Sequence, residues 1–218
     1  MTHHRRHIHS APSHDSSPSL SRRRLLVSMV GLLPVVSVGL PAGYAWAASP
    51  QPDEPPFDKE QAERFMRRAI ELARQGVKAG DGGPFGTVIV KDGEIVGEGW
   101  NRVIATNDPT AHGEVVAIRD ATNRSKSFSL EGCELYTSGE PCPMCMSAIY
   151  WANVDRVFYG FDVQDAANVG FDDSFIYEEL AKPLATRKIS EQQILGAEAV
   201  SMLQEYAADP DRVNYGLK

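Results

Sequence analysis

Histidine is scarce in this chain of 218 residues, and its placement says more than its number. Five of the six histidines, His3, His4, His7, His9 and His14, crowd the extreme N-terminus, so His112 stands alone beyond them. A metal site built from several histidines is thereby excluded from the rest of the sequence. Three cysteines, Cys133, Cys142 and Cys145, are too few for a disulfide-stapled scaffold. Long apolar runs are missing too. The stretch from Leu25 to Leu40 has about sixteen residues, interrupted by Gly31 and Pro34, short of the eighteen or more that argue for a membrane span. There is no internal repeat and no glycine pattern that cradles phosphate. Positive charge is also in the minority, 22 Lys+Arg against 29 Asp+Glu.

What is present makes the shortage of histidine informative. His112-Gly113-Glu114 lies thirty residues ahead of Cys142, within Pro141-Cys142-Pro143-Met144-Cys145. This is H-x-E followed by P-C-x-x-C, the signature of zinc-dependent nucleobase deaminases. A catalytic zinc takes three protein ligands and keeps a fourth tetrahedral position for water. His112, Cys142 and Cys145 supply three ligands, and no further histidine is available. Zinc lowers the pKa of bound water to about 7, so hydroxide forms at neutral pH. Glu114 is the residue expected to take and pass on its proton. At i and i+2, His112 and Glu114 do not stack on one helix face, so both reach a pocket only from a helix's first turn. Asn107-Asp108-Pro109-Thr110 reads as a turn and N-cap cluster ahead of a helical stretch from Val115 to Ala121. Pro143 falls where the first residue of a second helix would lie. Two helix N-termini are then expected to converge, favouring thiolates and an anionic hydroxide.

The plainer readings have to be set beside this one. A lone H-x-E arises by chance, and a lone C-x-x-C serves as a redox pair or half of a structural zinc site. A structural site needs a fourth ligand, and Cys133 is the one available. It opens Cys133-Glu134-Leu135-Tyr136-Thr137, an alternating run that reads as a strand, where a cysteine serves as a small buried hydrophobe. The combination with Glu114 favours catalytic zinc.

Residues 1–47 read as a segment apart from the fold. Ser21-Arg22-Arg23-Arg24-Leu25-Leu26 matches a twin-arginine export signal, and Ala45-Trp46-Ala47 offers a small-x-small cleavage site. A periplasmic or secreted protein, with no stable membrane span after cleavage, is the expectation. Five of the basic residues and one acid lie in that segment, which leaves 17 Lys+Arg against 28 Asp+Glu, a net of −11. Phosphate neutralisation supplies most of the affinity of nucleic-acid binders, so no nucleic-acid partner is expected and a free base or nucleoside is the expected substrate. Residues 48–57 form a Pro-rich linker, and 58–218 suit one domain. Asp58 can cap a helix to about Ala79 whose apolar face includes Phe65, Ala69, Leu72 and Ala73. Gly80 to Gly86 is a tight loop. Asp92-Gly93 marks a two-residue hairpin between strands Thr87–Lys91 and Glu94–Trp100. The His112 helix, the Cys133 strand, the Cys142 helix and a strand at Arg156–Gly160 follow. A further strand is expected around Gln192–Leu195, and a closing helix around Glu198–Ala207. The implied class is α/β, with a mixed sheet covered on both faces.

Longer stretches resemble the cytidine-deaminase superfamily and, within it, the bacterial-type guanine deaminases. They are Gly82-Gly83-Pro84-Phe85-Gly86, Asn107 to His112, Glu140 to Cys145, Ala148 to Ala152 and, most discriminating, Gly170-Phe171-Asp172-Asp173-Ser174-Phe175-Ile176-Tyr177. The resemblance implies a three-layer α/β/α sandwich on a mixed five-stranded sheet. It also implies Zn2+ on His112, Cys142 and Cys145, with Glu114 as proton shuttle. By the same resemblance Asn101 and Asp173 contact the purine, and Phe85 offers an apolar wall for its ring. Their plainer readings are a loop asparagine, a helix-capping aspartate and a core phenylalanine. A homodimer is implied as well, with a C-terminal segment that swaps and a tyrosine, Tyr206 or Tyr215, covering the neighbour's site. Gly113 departs from the more usual alanine. The expected reaction is hydrolysis of guanine to xanthine and ammonia by a zinc-held hydroxide. Deamination of another base or nucleoside (cytosine, adenine or adenosine, an aminotriazine) is the alternative, with tRNA adenosine further behind and a non-catalytic zinc module outside enzymes altogether. If the export reading holds, N-terminal sequencing of exported protein will begin at Ala48; a sequence beginning at Met1 would refute it.

Overall fold

Caps and apolar spacing account for the first elements. In the computed structural model, which describes residues 58–215, Asp58 is the N-cap of α1 (Lys59–Ala79) and accepts from the Gln61 N–H at 3.1 Å. Ala62, Phe65, Ala69, Leu72 and Ala73 form one buried stripe along this helix. Asp92 (φ 50°) and Gly93 (φ 78°) make the tight turn joining β1 (Gly86–Lys91) to β2 (Glu94–Trp100). The export signal 1–47, its cleavage position and the linker 48–57 lie outside the described residues. Among the described residues no helix is long and apolar enough to cross a membrane.

The chain continues through α2 (Val103–Thr106), α3 (Gly113–Ser125), β3 (Cys133–Gly139), α4 (Pro143–Trp151) and β4 (Arg156–Phe161). It ends with α5 (Val163–Asn168), α6 (Ser174–Ala181), a short 3-10 turn and α7 (Gly196–Ala208). The sheet order is β2-β1-β3-β4; β1 is antiparallel to β2 and β3, and β3 is parallel to β4. The fold is therefore α/β on a mixed sheet. It has four strands among the described residues and not the five expected. Residues 192–195 form no strand. Ile194 and Leu195 are exposed, and Leu195 adopts left-handed backbone (φ 54°) as the N-cap of α7, a conformation that ends any extended run.

Alternation along β1 and β3 splits the core in two. Ile89 and Leu135 pack with Ala117 and Ala121 of α3 and Ile149 of α4. Val88, Val90 and Tyr136 pack with Phe65 and Leu72 of α1. Tyr136 stacks on Phe158 at 4.6 Å between ring centroids. Full burial of side chains such as Leu135 and Ile89 contributes about 1.5–3 kcal/mol each. The chain's investment in a core ends early: no described residue after Ala152 is buried.

α3 sits unusually close to β2. Gly97 and Gly99 lie on the same side of the strand, and α3's backbone runs against both. A Cβ on Gly99 would overlap the Ala117 nitrogen and stand 2.6 Å from the Gly113 carbonyl oxygen; one on Gly97 would stand 2.6 Å from the Ala121 Cβ. Backbone has little freedom to yield. Gly99→Ala is therefore expected to destabilise the fold by about 1–3 kcal/mol through overpacking, read as a lowered thermal midpoint. An unchanged midpoint would show that α3 can retreat at no cost.

Candidate active site

One end of the sheet collects the residues singled out by the sequence. β1 starts there, while β2, β3 and β4 finish there, and the connections enclose a cavity of about 510 Å³. That size lies in the range of small-molecule sites, roughly 300–1,000 Å³. Phe85 comes from the loop before β1, Asn101 from the residue after β2, Cys142 from beyond β3, and Asp173 from the start of α6; all four line the cavity with His112 and Glu114.

Both helices that carry the candidate ligands begin at the site. His112 is the N-cap of α3 and Cys142 the N-cap of α4, with Pro143 at the first helical position. Glu114 and Cys145 occupy the first turns of their helices. The 107–110 cluster does form a turn, Asp108 accepting from both the Thr110 N–H (2.8 Å) and hydroxyl (2.7 Å). It does not cap α3, because that carboxylate is used within the turn and the cap position has passed to His112.

His112 Nδ1 lies 3.6 Å from Cys142 Sγ and 3.4 Å from Cys145 Sγ, and the three ligand atoms fall within 4.8 Å of one another. Bonds of 2.3 Å to sulfur and about 2.0–2.1 Å to nitrogen at tetrahedral angles put such atoms about 3.5 Å apart. The donor set therefore fits zinc without rearrangement. Cys133 supplies no fourth ligand. It is buried in the core at the opening of β3, whereas Cys142 lies past that strand's other end, roughly 20 Å of extended chain away. All three cysteines are free thiols.

Electrostatics in the cluster favour an anion shared between two sulfurs. The hydrogen bond from the Cys145 thiol, followed by one from His112, draws Cys142 down to about 4. Cys145, as donor to that thiolate and itself buried, is pushed far up. The Cys142 thiolate in turn raises His112. Glu114 is only 3% exposed, and burial raises its carboxyl above the ordinary range. At the rim, burial and then the Cys142 charge raise Asp173.

The remaining predicted residues line the same cavity. Asn101 is buried, and its Oδ1 accepts from the Gly83 N–H (3.2 Å) and the Val103 N–H (3.3 Å). Phe85, half-buried, meets Phe171 edge-on at 5.0 Å and Phe161 at 5.7 Å. Asp173 stands at the N-cap position of α6 yet makes no capping hydrogen bond. Asp172 accepts the Ser174 N–H instead, at 3.0 Å. The capping explanation for Asp173 thus fails: its carboxylate accepts from its own backbone N–H, and the residue lines the cavity. Sequence reasoning gave no role to Phe171 or Glu140, which also line the cavity. Glu140 accepts the Val163 N–H at 3.2 Å and so ties the Cys142 loop to α5. The signal for both was position inside motifs already noted. Neither Tyr206 nor Tyr215 lines the cavity: the Tyr206 hydroxyl donates to the Val213 carbonyl, and the Tyr215 ring lies 6.3 Å from that of Phe128.

Comparison with known proteins agrees with this geometry. Residues 59–161 match the family described as the cytidine and deoxycytidylate deaminase zinc-binding region. A guanine deaminase of Bacillus subtilis is 52% identical over 153 residues, covering 70% of this chain and 98% of that protein. A tRNA-specific adenosine deaminase of Aquifex aeolicus is 33% identical over 144 residues, covering 66% and 92%. The X-ray structure of the Bacillus subtilis guanine deaminase is similar with a TM-score of 0.69 at 51% identity, covering 71% of this chain and 98% of that one.

The ligand assignment predicts a clear separation among the thiols. Cys145→Ser is expected to lower bound zinc by at least about tenfold, measured by metal analysis after dialysis. Cys133→Ser should keep its zinc, whatever it costs in stability. Equal loss from both would restore Cys133 as a ligand.

Proposed function

The chain belongs to the cytidine and deoxycytidylate deaminase family, and on that premise we propose that it hydrolyses guanine to xanthine and ammonia. Glu114 carries the enzymatic reading. It is a buried carboxylate in the cavity wall that contributes no atom to the metal set. A metal site kept for stability has no use for such a group, whose burial is costly. Zinc would be held by His112, Cys142 and Cys145, and bound there it supplies Lewis acidity that makes water acidic near neutral pH.

The chain's own residues do the rest. Glu114 accepts one proton of the attacking water and passes it to the ring nitrogen, then carries the second, from the hydroxyl so formed on the ring carbon, to the departing amine. Its pKa, raised by burial, brings donor and acceptor strengths closer together. The water oxygen bonds to the ring carbon bearing the amino group, and the carbon–nitrogen bond to that amine breaks. One water is consumed and one ammonia released. Asn101 and Asp173 supply a donor and an acceptor for the purine's polar edge, and Phe85 with Phe171 walls its ring. Sites that hydrogen-bond a substrate's polar groups reject analogues lacking them.

Guanine is favoured by the 52% identity that spans almost the whole Bacillus subtilis guanine deaminase. The likeness to a tRNA-specific adenosine deaminase supports a second reading. Against it stands the acidic balance of the sequence, since a polynucleotide binds through basic surface. The proposal extends to assembly and location. Exposed Phe175, Ile176, Leu180, Val200 and Leu203 on α6 and α7 support a homodimer in which the C-terminal segment finds its cover on the partner. The twin-arginine pattern supports export to the periplasm or beyond.

Ammonia release by zinc-loaded protein tests the substrate, with guanine, adenine, cytosine, their nucleosides and tRNA in parallel. Turnover confined to guanine is expected; turnover of tRNA alone would exchange the two readings. Glu114→Gln should keep its zinc and lose about 100- to 10,000-fold in kcat. Near-normal turnover by that variant would remove Glu114 from the chemistry.

A further inference from the structure

Resting on the guanine-deaminase reading, we propose that Gly82 is a positioning residue for base recognition. Its missing Cβ leaves the space in which the Asn101 carboxamide turns its oxygen to the main chain and its nitrogen to the base. Asn101 leaves β2 with its own N–H on the Phe85 carbonyl at 2.8 Å, which fixes where the side chain starts. Two main-chain donors, the N–H groups of Gly83 and Val103, then converge on Oδ1. The opposite orientation would set the NH2 group against two N–H groups, donor against donor, so the orientation follows from the network. Nδ2 has no protein partner among the described residues. Because Ser129 Oγ is the only buried, unpartnered side-chain oxygen or nitrogen among the described residues, Nδ2 stays accessible, and the residue lines the cavity. The atom of a base that meets Asn101 must therefore be an acceptor, a carbonyl oxygen or an unprotonated ring nitrogen.

Gly82 is what makes room for this arrangement. A Cβ there would overlap Asn101 Oδ1 and stand 2.7 Å from the Asn101 carbonyl oxygen and 3.0 Å from its carbonyl carbon. All three nearest atoms belong to Asn101. Gly82 does not adopt left-handed backbone, so the requirement is for space and not for conformation. Gly80 two residues earlier is the converse, with φ 75° and nothing within 4 Å of a built Cβ. At Gly83 the neighbours would be the ring atoms of Phe171 and Phe85 at 3.0–3.1 Å, side chains with some freedom to shift. Only at Gly82 does an added methyl act directly on the recognising amide.

The test is a double-mutant cycle between Gly82→Ala and Asn101→Ala. It reads guanine KM and kcat, zinc content, and equilibrium binding of guanine to the same variants in the inactive Glu114→Gln background. Gly82→Ala is expected to raise KM and Kd by at least about tenfold, with kcat within about threefold of wild type and zinc unchanged. In the Asn101→Ala background the same substitution should move KM and Kd by less than about twofold, because the amide it displaces is already gone. A wild-type KM in Gly82→Ala, or equal increases in both backgrounds, would overturn the proposal. If Gly82→Ala does not fold, Asn101→Asp takes its place. That variant keeps an oxygen for the two main-chain donors while losing the donor face. It should melt close to wild type and show the KM of Asn101→Ala; a wild-type KM would again overturn the proposal. Wild-type protein that does not turn over guanine would overturn the substrate reading and this proposal together, a failure visible before any substitution is made.

Discussion

The seat of α3 against β2 is the constraint on which the site depends. The helix carries His112 at its N-cap and Glu114 in its first turn, so its position along and above the strand decides whether they meet Cys142 and Cys145 from α4. Two glycines on one side of β2 let backbone approach backbone. The contact is made of main-chain atoms and is therefore rigid. Side chains at the same positions would hold the helix off by the width of a methyl group, and a ligand distance set to a few tenths of an ångström would be lost. Gly113 belongs to the same contact. A Cβ there would stand 3.0 Å from the Phe85 carbonyl oxygen and 3.1 Å from Thr87 Oγ1, on the strand beside β2.

The charges at the site follow from this seating. Two thiols, an imidazole and a buried carboxylate are brought together, a combination that is poorly satisfied by protons alone. One sulfur is drawn to the thiolate while its neighbour is held as a thiol, and a single proton serves both. A divalent cation satisfies both sulfurs at once and leaves Glu114 free of metal duty. Burial of that carboxylate is costly for folding and useful for proton transfer. The same low dielectric that raises its pKa strengthens its interaction with the imidazole beside it.

The parts legible in the sequence were those with strong local rules. The Asp58 cap, the Asp92-Gly93 hairpin and the proline opening α4 each follow from one or two residues. The ligand triad followed from the poverty of alternatives to His112. The failures share a cause as well. A strand was expected at 192–195, but Gln192 and Gln193 leave only Ile194 and Leu195 apolar there, both are exposed, and Leu195 turns left-handed. α5 and α6 went unpredicted because at six and eight residues they are too short to display a helical period, whereas α7, equally unburied, runs for 13. Phe171 and Glu140 entered the site through contacts to Phe85 and Val163, which spacing along the chain does not encode. Asp108 shows the subtler failure. It has the residue type of a helix cap, and Thr110 claimed it first.

The contrast between the two halves of the domain bears on how the site is completed. Up to Ala152 the chain buries its apolar residues in the usual way. Beyond it, Phe171, Phe175, Ile176, Tyr177, Leu180, Leu184 and the apolar residues of α7 are all substantially exposed. A helix holds in water chiefly by packing an apolar face, not by intrinsic propensity, and among the described residues nothing covers the apolar residues of α6 and α7. The connection to the core is narrow: besides the edge-on contact of Phe171 with Phe85 and that of Tyr215 with Phe128, it includes two hydrogen bonds. Glu140 holds the start of α5 and the Tyr177 hydroxyl reaches the Pro141 carbonyl at 3.5 Å, so both tethers end on the loop that carries Cys142. Any surface that seats this arm therefore also sets the loop beside the metal ligands and the placement of Phe171 and Asp173. A change in what covers this arm is therefore expected at the rim of the cavity before it reaches the candidate ligands, which α3 and α4 position.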